Sequence, residues 1–275
     1  MINALSIDLE YWHTAELVRR FAPEDREDYV LDAVIPLLDL LDKYNTKATF
    51  FVLGSLAEKY PDLVKYIYEK GHEIGSHSYS HKTLYDLDKE KFDWEIKRTN
   101  NILKSITGES PIGFRAPTFS IDNSTKWAFD ILIKNGFKYD SSVFPIKTNL
   151  YGVPNAPVSP YRPSKTDITL HDSSGLILEY PLSILKIGKN IPIAGGFYLR
   201  IFPTLFLKNA IKTVNKNRPV VLYIHPWETC AMTPVVPMPR YSKLITYYGI
   251  KSSLKKVENL LISFKFAPIR EVLDL

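Results

Sequence analysis

Two histidines, His77 and His81, stand four residues apart in the segment Gly71-His72-Glu73-Ile74-Gly75-Ser76-His77-Ser78-Tyr79-Ser80-His81. On a helix or helical turn that spacing puts both imidazoles on one face, within reach of one metal ion. Such a pair is a weak motif by itself. It gains weight from the polar residues that directly follow other apolar, strand-like runs: Asp8 and Glu10, Arg115, Asp140, and His225. With the histidine pair these make five strand ends, each carrying ionisable groups that a core-facing strand does not need. In a parallel barrel such ends converge on one face. The chemistry served by such a set is metal-assisted hydrolysis. Two neutral imidazoles and one carboxylate leave a divalent ion with open positions for water and a substrate oxygen. A second carboxylate can take a proton and a histidine on the opposite wall can give one. An arginine can hold the basic carboxylate through a forked, charge-assisted hydrogen bond.

The elements that must position these groups follow from periodicity. Residues Ala4 to Leu9 read as a short buried strand, and Tyr29 to Tyr44 carries a helical stripe at Val30, Val34, Leu37, Leu38 and Leu41. Lys47 to Val52 is rich in strand formers. Pro61 then opens a helix that Gly71 stops. Asp86 to Ile106 and Asn123 to Asn135 read as helices, with Ile112-Gly113-Phe114 and Phe137-Lys138-Tyr139 as brief strands. Alternating strands and helices with short connections predict a parallel sheet or barrel of βα units. From Pro145 to Arg200 the alternation breaks. There Thr166 to Leu170 and Leu176 to Tyr180 are expected to pair as a β-hairpin, and Gly195-Gly196 permits a close backbone approach. A helix near Pro203 to Asn215, the buried strand Pro219 to Ile224, a helix near Ser253 to Phe264 and a strand-like Phe266 to Val272 complete the chain. No linker suggests a boundary, so residues 1–275 are read as one catalytic domain with an insertion at about 145–200.

Composition narrows the function classes. An apolar content of 45%, with 13% aromatic residues, suits a folded protein with a sizeable core. The net charge of +5 comes without a run of five or six like charges, which argues against a dedicated nucleic-acid binder and leaves an anionic surface or carrier open. A single cysteine, Cys230, excludes an internal disulfide and a cysteine-based metal centre. The first residues lack a basic leader and no apolar run approaches the roughly 20 residues of a spanning helix, so the expected location is cytoplasmic.

Taken jointly, the motifs resemble those of the carbohydrate esterase family 4 polysaccharide deacetylases, the group that shares the nodulation-type deacetylase domain. The matching segments are Ser6-Ile7-Asp8-Leu9-Glu10, His77 to His81, Arg115-Ala116-Pro117, Asp140-Ser141-Ser142 and Leu222-Tyr223-Ile224-His225. His225-Pro226-Trp227-Glu228, together with Gly195 to Arg200, resembles a subfamily linked to exopolysaccharide loci. The resemblance implies an irregular (β/α)7-type barrel and removal of N-acetyl groups from a surface polysaccharide or a lipid-linked sugar precursor. It also implies Asp8 as general base, His77 and His81 as ligands of a divalent metal, usually zinc, and His225 as general acid with Asp140 as its orienting partner. Arg115 would steady Asp8, and the backbone N–H of Thr118 would face the oxyanion. The common pattern has adjacent aspartates, whereas Leu9 follows Asp8 here, so Glu10 is assigned as third ligand.

Two other readings remain at this level. One is hydrolysis of another C–N bond, as in a cyclic amide or ureide, and the other is a non-catalytic sugar-binding protein. His13, His72 and His171 are expected to be structural or surface residues and Cys230 a passive thiol. Trp12 and Trp227 suit the core, although their closeness to Asp8 and His225 also makes them candidates to stack on a sugar ring.

Overall fold

A computed structural model describes residues 1–275. Eight strands form one parallel sheet: β1 (Ile2–Leu9), β2 (Thr49–Val52), β3 (Glu73–Ser76), β4 (Gly113–Phe114), β5 (Tyr139–Asp140), β6 (Leu178–Glu179), β9 (Val221–Ile224) and β10 (Lys265–Ala267). The remaining strands, β7 (Ile184–Ile187) and β8 (Lys189–Pro192), make a separate antiparallel pair. The spatial order runs β10-β1-β2-β3-β4-β5-β6, with β9 on the free side of β1. β1 is the hub, because Ala4 to Ile7 pair with β9 while the other edge meets β10 at its start and β2 at its end. The result is a curled, incompletely closed (β/α) barrel. Its gap between β6 and β9 is spanned by the chain around residues 182–195, where Ser183 Oγ accepts from Val221 N–H and Ala194 O accepts from Tyr223 N–H.

Side-chain alternation decides what faces the barrel interior. In β1, Leu5, Ile7 and Leu9 point outward into the larger core beneath the helices. Ala4, Ser6 and Asp8 therefore share the inner face, and Glu10 continues that parity just past the strand. In β9, Leu222 and Ile224 join the same outer core, which leaves Tyr223 and His225 on the inner face. Leu9 is fully buried among these outer residues. The Asp-Leu-Glu order thus puts two carboxylates on one side of a strand, with an apolar residue between them packing the other side.

The helices cover the outer face. Val30–Lys43 buries Val30, Val34, Leu37, Leu38 and Leu41, the stripe read from sequence. Each such side chain contributes about 1.5–3 kcal/mol when fully removed from water. Lys89–Thr107 starts at Asp88, whose carboxylate accepts from Lys91 N–H at 2.8 Å, and stops at Gly108 with φ +80°.

Three expectations are corrected. Thr166–Leu170 and Leu176–Tyr180 do not pair as a hairpin: Leu178–Glu179 joins the main sheet beside β5, and the hairpin is β7–β8 with Gly188 at φ +71° in its turn. The Glu179 carboxylate accepts from Val143 N–H at 3.0 Å, and the Glu179 backbone exchanges both hydrogen bonds with Tyr161 of the insertion, so the strand is held from both sides. His77 to His81 is a loop and not a helical turn, with Ser78 at φ 63° and His81 at φ 62°. The last segment is only partly strand, since Ile269–Val272 is a short helix after Pro268. Gly195 behaves as read. A Cβ there would lie 1.7 Å from Tyr223 O, and its φ is +140°, so only glycine lets the insertion run against β9. No helix of the structure is long and apolar enough to cross a membrane.

Candidate active site

The inner ends of β1, β3, β4 and β9 converge on a pocket of about 150 Å³ lined by Asp8, Glu10, His77, His81, Thr118, His225 and Trp227, among others. Arg115, fully buried at the end of β4, sets the position of Asp8. Its Nη1 donates to Asp8 Oδ1 at 2.7 Å and to Ser6 Oγ at 2.7 Å, its Nε to Ser141 O at 2.8 Å and its Nη2 to Ser141 Oγ at 2.9 Å. All of these acceptors are buried, so the guanidinium is held in one orientation. The other oxygen of Asp8 lies 3.7 Å from His225 Nε2.

Glu10, His77 and His81 each offer a ligand atom, and the three atoms lie within 4.8 Å of one another. Their chemistry fits a cation. His77 Nδ1 is 2.7 Å from the Arg115 carbonyl, which can only accept, so the proton sits on Nδ1 and Nε2 presents its lone pair. Glu10 Oε2 is buried and accepts no hydrogen bond. It rests against His81 Nε2 and 4.0 Å from His77 Nε2. Burial pushes the His77 imidazole down to about 4, only partly offset by the nearby Asp8 and Glu10 carboxylates, which keeps it neutral and able to ligate. Burial alone would raise the Glu10 carboxyl, but the facing His81, His225 and His77 rings hold it well below the usual range.

Trp227 lies in the pocket wall with its indole already engaged. Its ring is buried, stacks on His225 at 5.6 Å and donates Nε1–H to Glu10 Oε1 at 2.9 Å, so it orients the carboxylate. Trp12 is a core residue whose indole N–H donates to Glu27 O at 2.9 Å. His72 accepts from Ala48 N–H and His171 from Arg162 N–H, both remote from the pocket, and Cys230 is a buried free thiol. Thr118 lines the pocket with a left-handed backbone, φ 54° and ψ 26°.

Asp140 is corrected. His225 Nδ1 donates to Glu228 Oε2 at 2.6 Å, while Asp140 is turned away into a separate buried cluster. There it accepts from Ser142 Oγ at 2.6 Å and faces Glu179, and Ser142 Oγ in turn accepts from Ala116 N–H at 2.8 Å. Asp140 thus braces the loop after Arg115. Glu228 is carried by the short turn Pro226–Thr229 directly after His225 and is held by Arg200, whose Nε and Nη2 donate to Oε1 at 3.0 and 2.8 Å. Sequence reasoning missed both roles. The available signal was the three-residue spacing of His225 and Glu228. Nothing in sequence linked Arg200 to them. Burial opposes protonation of His225, but Glu10, Glu228 and Asp8 outweigh it and raise the imidazole to about 9. At neutral pH the ring therefore carries both protons.

A parallel barrel that gathers carboxylates, imidazoles and an arginine at the C-terminal ends of its strands has the layout of a (β/α)-barrel active site. Residues 28–139 match the Polysaccharide deacetylase family model, and residues 141–274 match a Domain of unknown function (DUF3473). Residues 28–139 are thus similar to a polysaccharide deacetylase domain. Over 93 residues it is 43% identical to a peptidoglycan-N-acetylglucosamine deacetylase of Bacillus cereus, covering 34% of this chain and 34% of that protein. The chain spans about a third of the length of the curated relatives it matches. Its fold is similar to that of a putative polysaccharide deacetylase from Mycobacterium smegmatis, with TM-score 0.61, 18% identity and coverage of 99% and 90% of the two chains. It is also similar to a family 4 acetyl xylan esterase from Clostridium thermocellum solved with cobalt, with TM-score 0.51, 17% identity and coverage of 100% and 91%. The site draws on both matched regions, since His77, His81 and Arg115 fall in the first and Arg200, His225 and Glu228 in the second.

Proposed function

We propose that residues 1–275 work as one catalytic unit, a metal-dependent hydrolase that removes the acetyl group from an N-acetylated sugar. We place that sugar in a surface polysaccharide or its lipid-linked precursor, in the manner of the exopolysaccharide-locus enzymes. The observation that carries the reading is the pairing across one pocket. Asp8 is held by Arg115 on one side, protonated His225 is held by Glu228 on the other, and the Glu10-His77-His81 set lies beside both.

A divalent ion, zinc in this reading, would be held by Glu10, His77 and His81 and would polarise the acetamide carbonyl and acidify a water molecule. Asp8 takes the proton of the attacking water, with its second oxygen free of Arg115 for that task. The backbone N–H of Thr118 meets the charge that develops on the carbonyl oxygen. His225 gives its Nε2 proton to the departing nitrogen as the C–N bond breaks, which leaves acetate and a free amine. Arg115 keeps Asp8 aimed, and Glu228 keeps Nδ1 of His225 protonated so that Nε2 is the donating atom.

Acetate release from chitooligosaccharides, followed in the metal-loaded protein, tests this mechanism. Asp8→Asn and His225→Ala should each lose at least about 100-fold in rate while keeping a cooperative melt. Full metal-dependent activity in either variant would exclude it.

A further inference from the structure

The modest net charge of +5 conceals an uneven division. Residues 180–257 carry twelve Lys or Arg and a single acid, Glu228, a net of +11, so the remaining residues carry a net of −6. The one acid is buried and bonded to Arg200, so it does not offset the surface cations. Asymmetry of this kind between parts of a chain marks an affinity for an anionic surface.

The same region carries an unusual apolar exposure. The helix Arg240–Tyr247 turns Tyr241, Leu244 and, one residue past its end, Tyr248 to solvent, with exposures of 73%, 56% and 49%. The three-and-four spacing puts them on one stripe. Exposed Arg240 and Lys243 stand on the same helix and exposed Lys251 follows it. Ile201, 42% exposed, follows Arg200, whose guanidinium ties this segment to the carbonyls of Ile245 and Tyr248. This surface borders the catalytic pocket, whose wall includes Phe197, Arg200, Ile245 and Thr246.

We infer that this face docks on an anionic lipid bilayer, so that the pocket opens beside the membrane surface. Tyrosine and leucine side chains interleaved with lysine and arginine suit the headgroup region, where apolar groups insert shallowly and cations meet lipid phosphates. A nucleic acid would use the cations and leave Leu244 and Ile201 without a partner. The inference goes beyond the deacetylase reading and is read out without turnover, so either can fail while the other stands.

The test is co-sedimentation of the full chain with vesicles of phosphatidylcholine containing phosphatidylglycerol, against vesicles of phosphatidylcholine alone and against duplex DNA. Binding is expected on the anionic vesicles, weakening as salt rises. Lys243→Ala should cost about fivefold in affinity. Tyr241→Ser combined with Leu244→Ser should weaken vesicle binding even at low salt, with an unchanged melting temperature as the control for folding. The inference is overturned by no preference for anionic vesicles, by full binding in the Tyr241/Leu244 variant, or by tighter binding to DNA that ignores that variant.

Discussion

Glu228 Oε2 lies 2.6 Å from His225 Nδ1, and Arg200 holds the opposite oxygen of the same carboxylate through two nitrogens. The general acid of the proposed reaction is thus oriented by a residue three positions further along its own chain. Arg200, 28 residues earlier, fixes that residue in turn.

Glu228→Gln should lower the rate of acetate release by about 100- to 10,000-fold, the range for losing a group that sets the tautomer of a catalytic histidine. Removing its charge also lowers the His225 imidazole from about 9, so the alkaline limb of the pH–rate profile should move to lower pH. An unmoved limb with an unchanged rate would show that Glu228 is only structural.

His81→Ala takes one nitrogen from the Glu10-His77-His81 set. Purified wild-type protein should retain about one divalent ion per chain by elemental analysis and the variant far less. Chelation of the wild type should abolish acetate release, and added divalent ion should restore it. Equal metal content in the two proteins would argue against the assigned ligands.

Arg115→Met leaves the buried Asp8 carboxylate without its guanidinium. Breaking one side of a buried ion pair costs about 3–5 kcal/mol. Urea unfolding should show that loss as a lower midpoint at an unchanged slope. An unfolding free energy within about 0.5 kcal/mol of wild type would contradict the pairing.

Burial pushes the Glu179 carboxyl well above its ordinary value, and the adjacent Asp140 adds to the effect. Asp140 is itself raised by burial, although Glu179, Ser142 and Arg115 oppose the rise. A folded-state pKa above the unfolded one means that the native protein holds the extra proton. This contribution is fully present below the unfolded carboxylate range, near 4.3, and is lost as pH rises through the folded value. Glu179→Gln removes the need for that proton, so the decline of stability with rising pH should be shallower than in wild type. Parallel stability curves in denaturant from pH 5 to 9 would overturn the assignment.

Sequence by itself determined a good deal of this molecule. The two-residue alternation of β1 and β9 placed Ser6, Asp8, Tyr223 and His225 opposite the apolar residues that pack the outer core. The same period made Glu10 the carboxylate able to join Asp8 across Leu9. The apolar stripe of Val30–Lys43 and the glycine needed at Gly195 were equally legible, because both arise from local geometry. Only tertiary structure decided the partners. Asp140 and Glu228 are both acids near a strand end, and the three-residue spacing of Glu228 from His225 does not by itself rank it above Asp140; the short turn at Pro226 brings Glu228 back to the ring, while Ser142 and Glu179 engage Asp140. The insertion was misread for a related reason. Leu178–Glu179 is two residues long and gains its strand character from β5 on one side and Tyr161 on the other, and neither partner is a sequence neighbour. Trp227 likewise had an aromatic face that could have met a sugar, and the fold spent its indole N–H on Glu10 at a separation of 217 residues. Periodicity is written in neighbouring residues, whereas the pairing of buried charges depends on which distant strand ends the barrel brings within about 3 Å of each other.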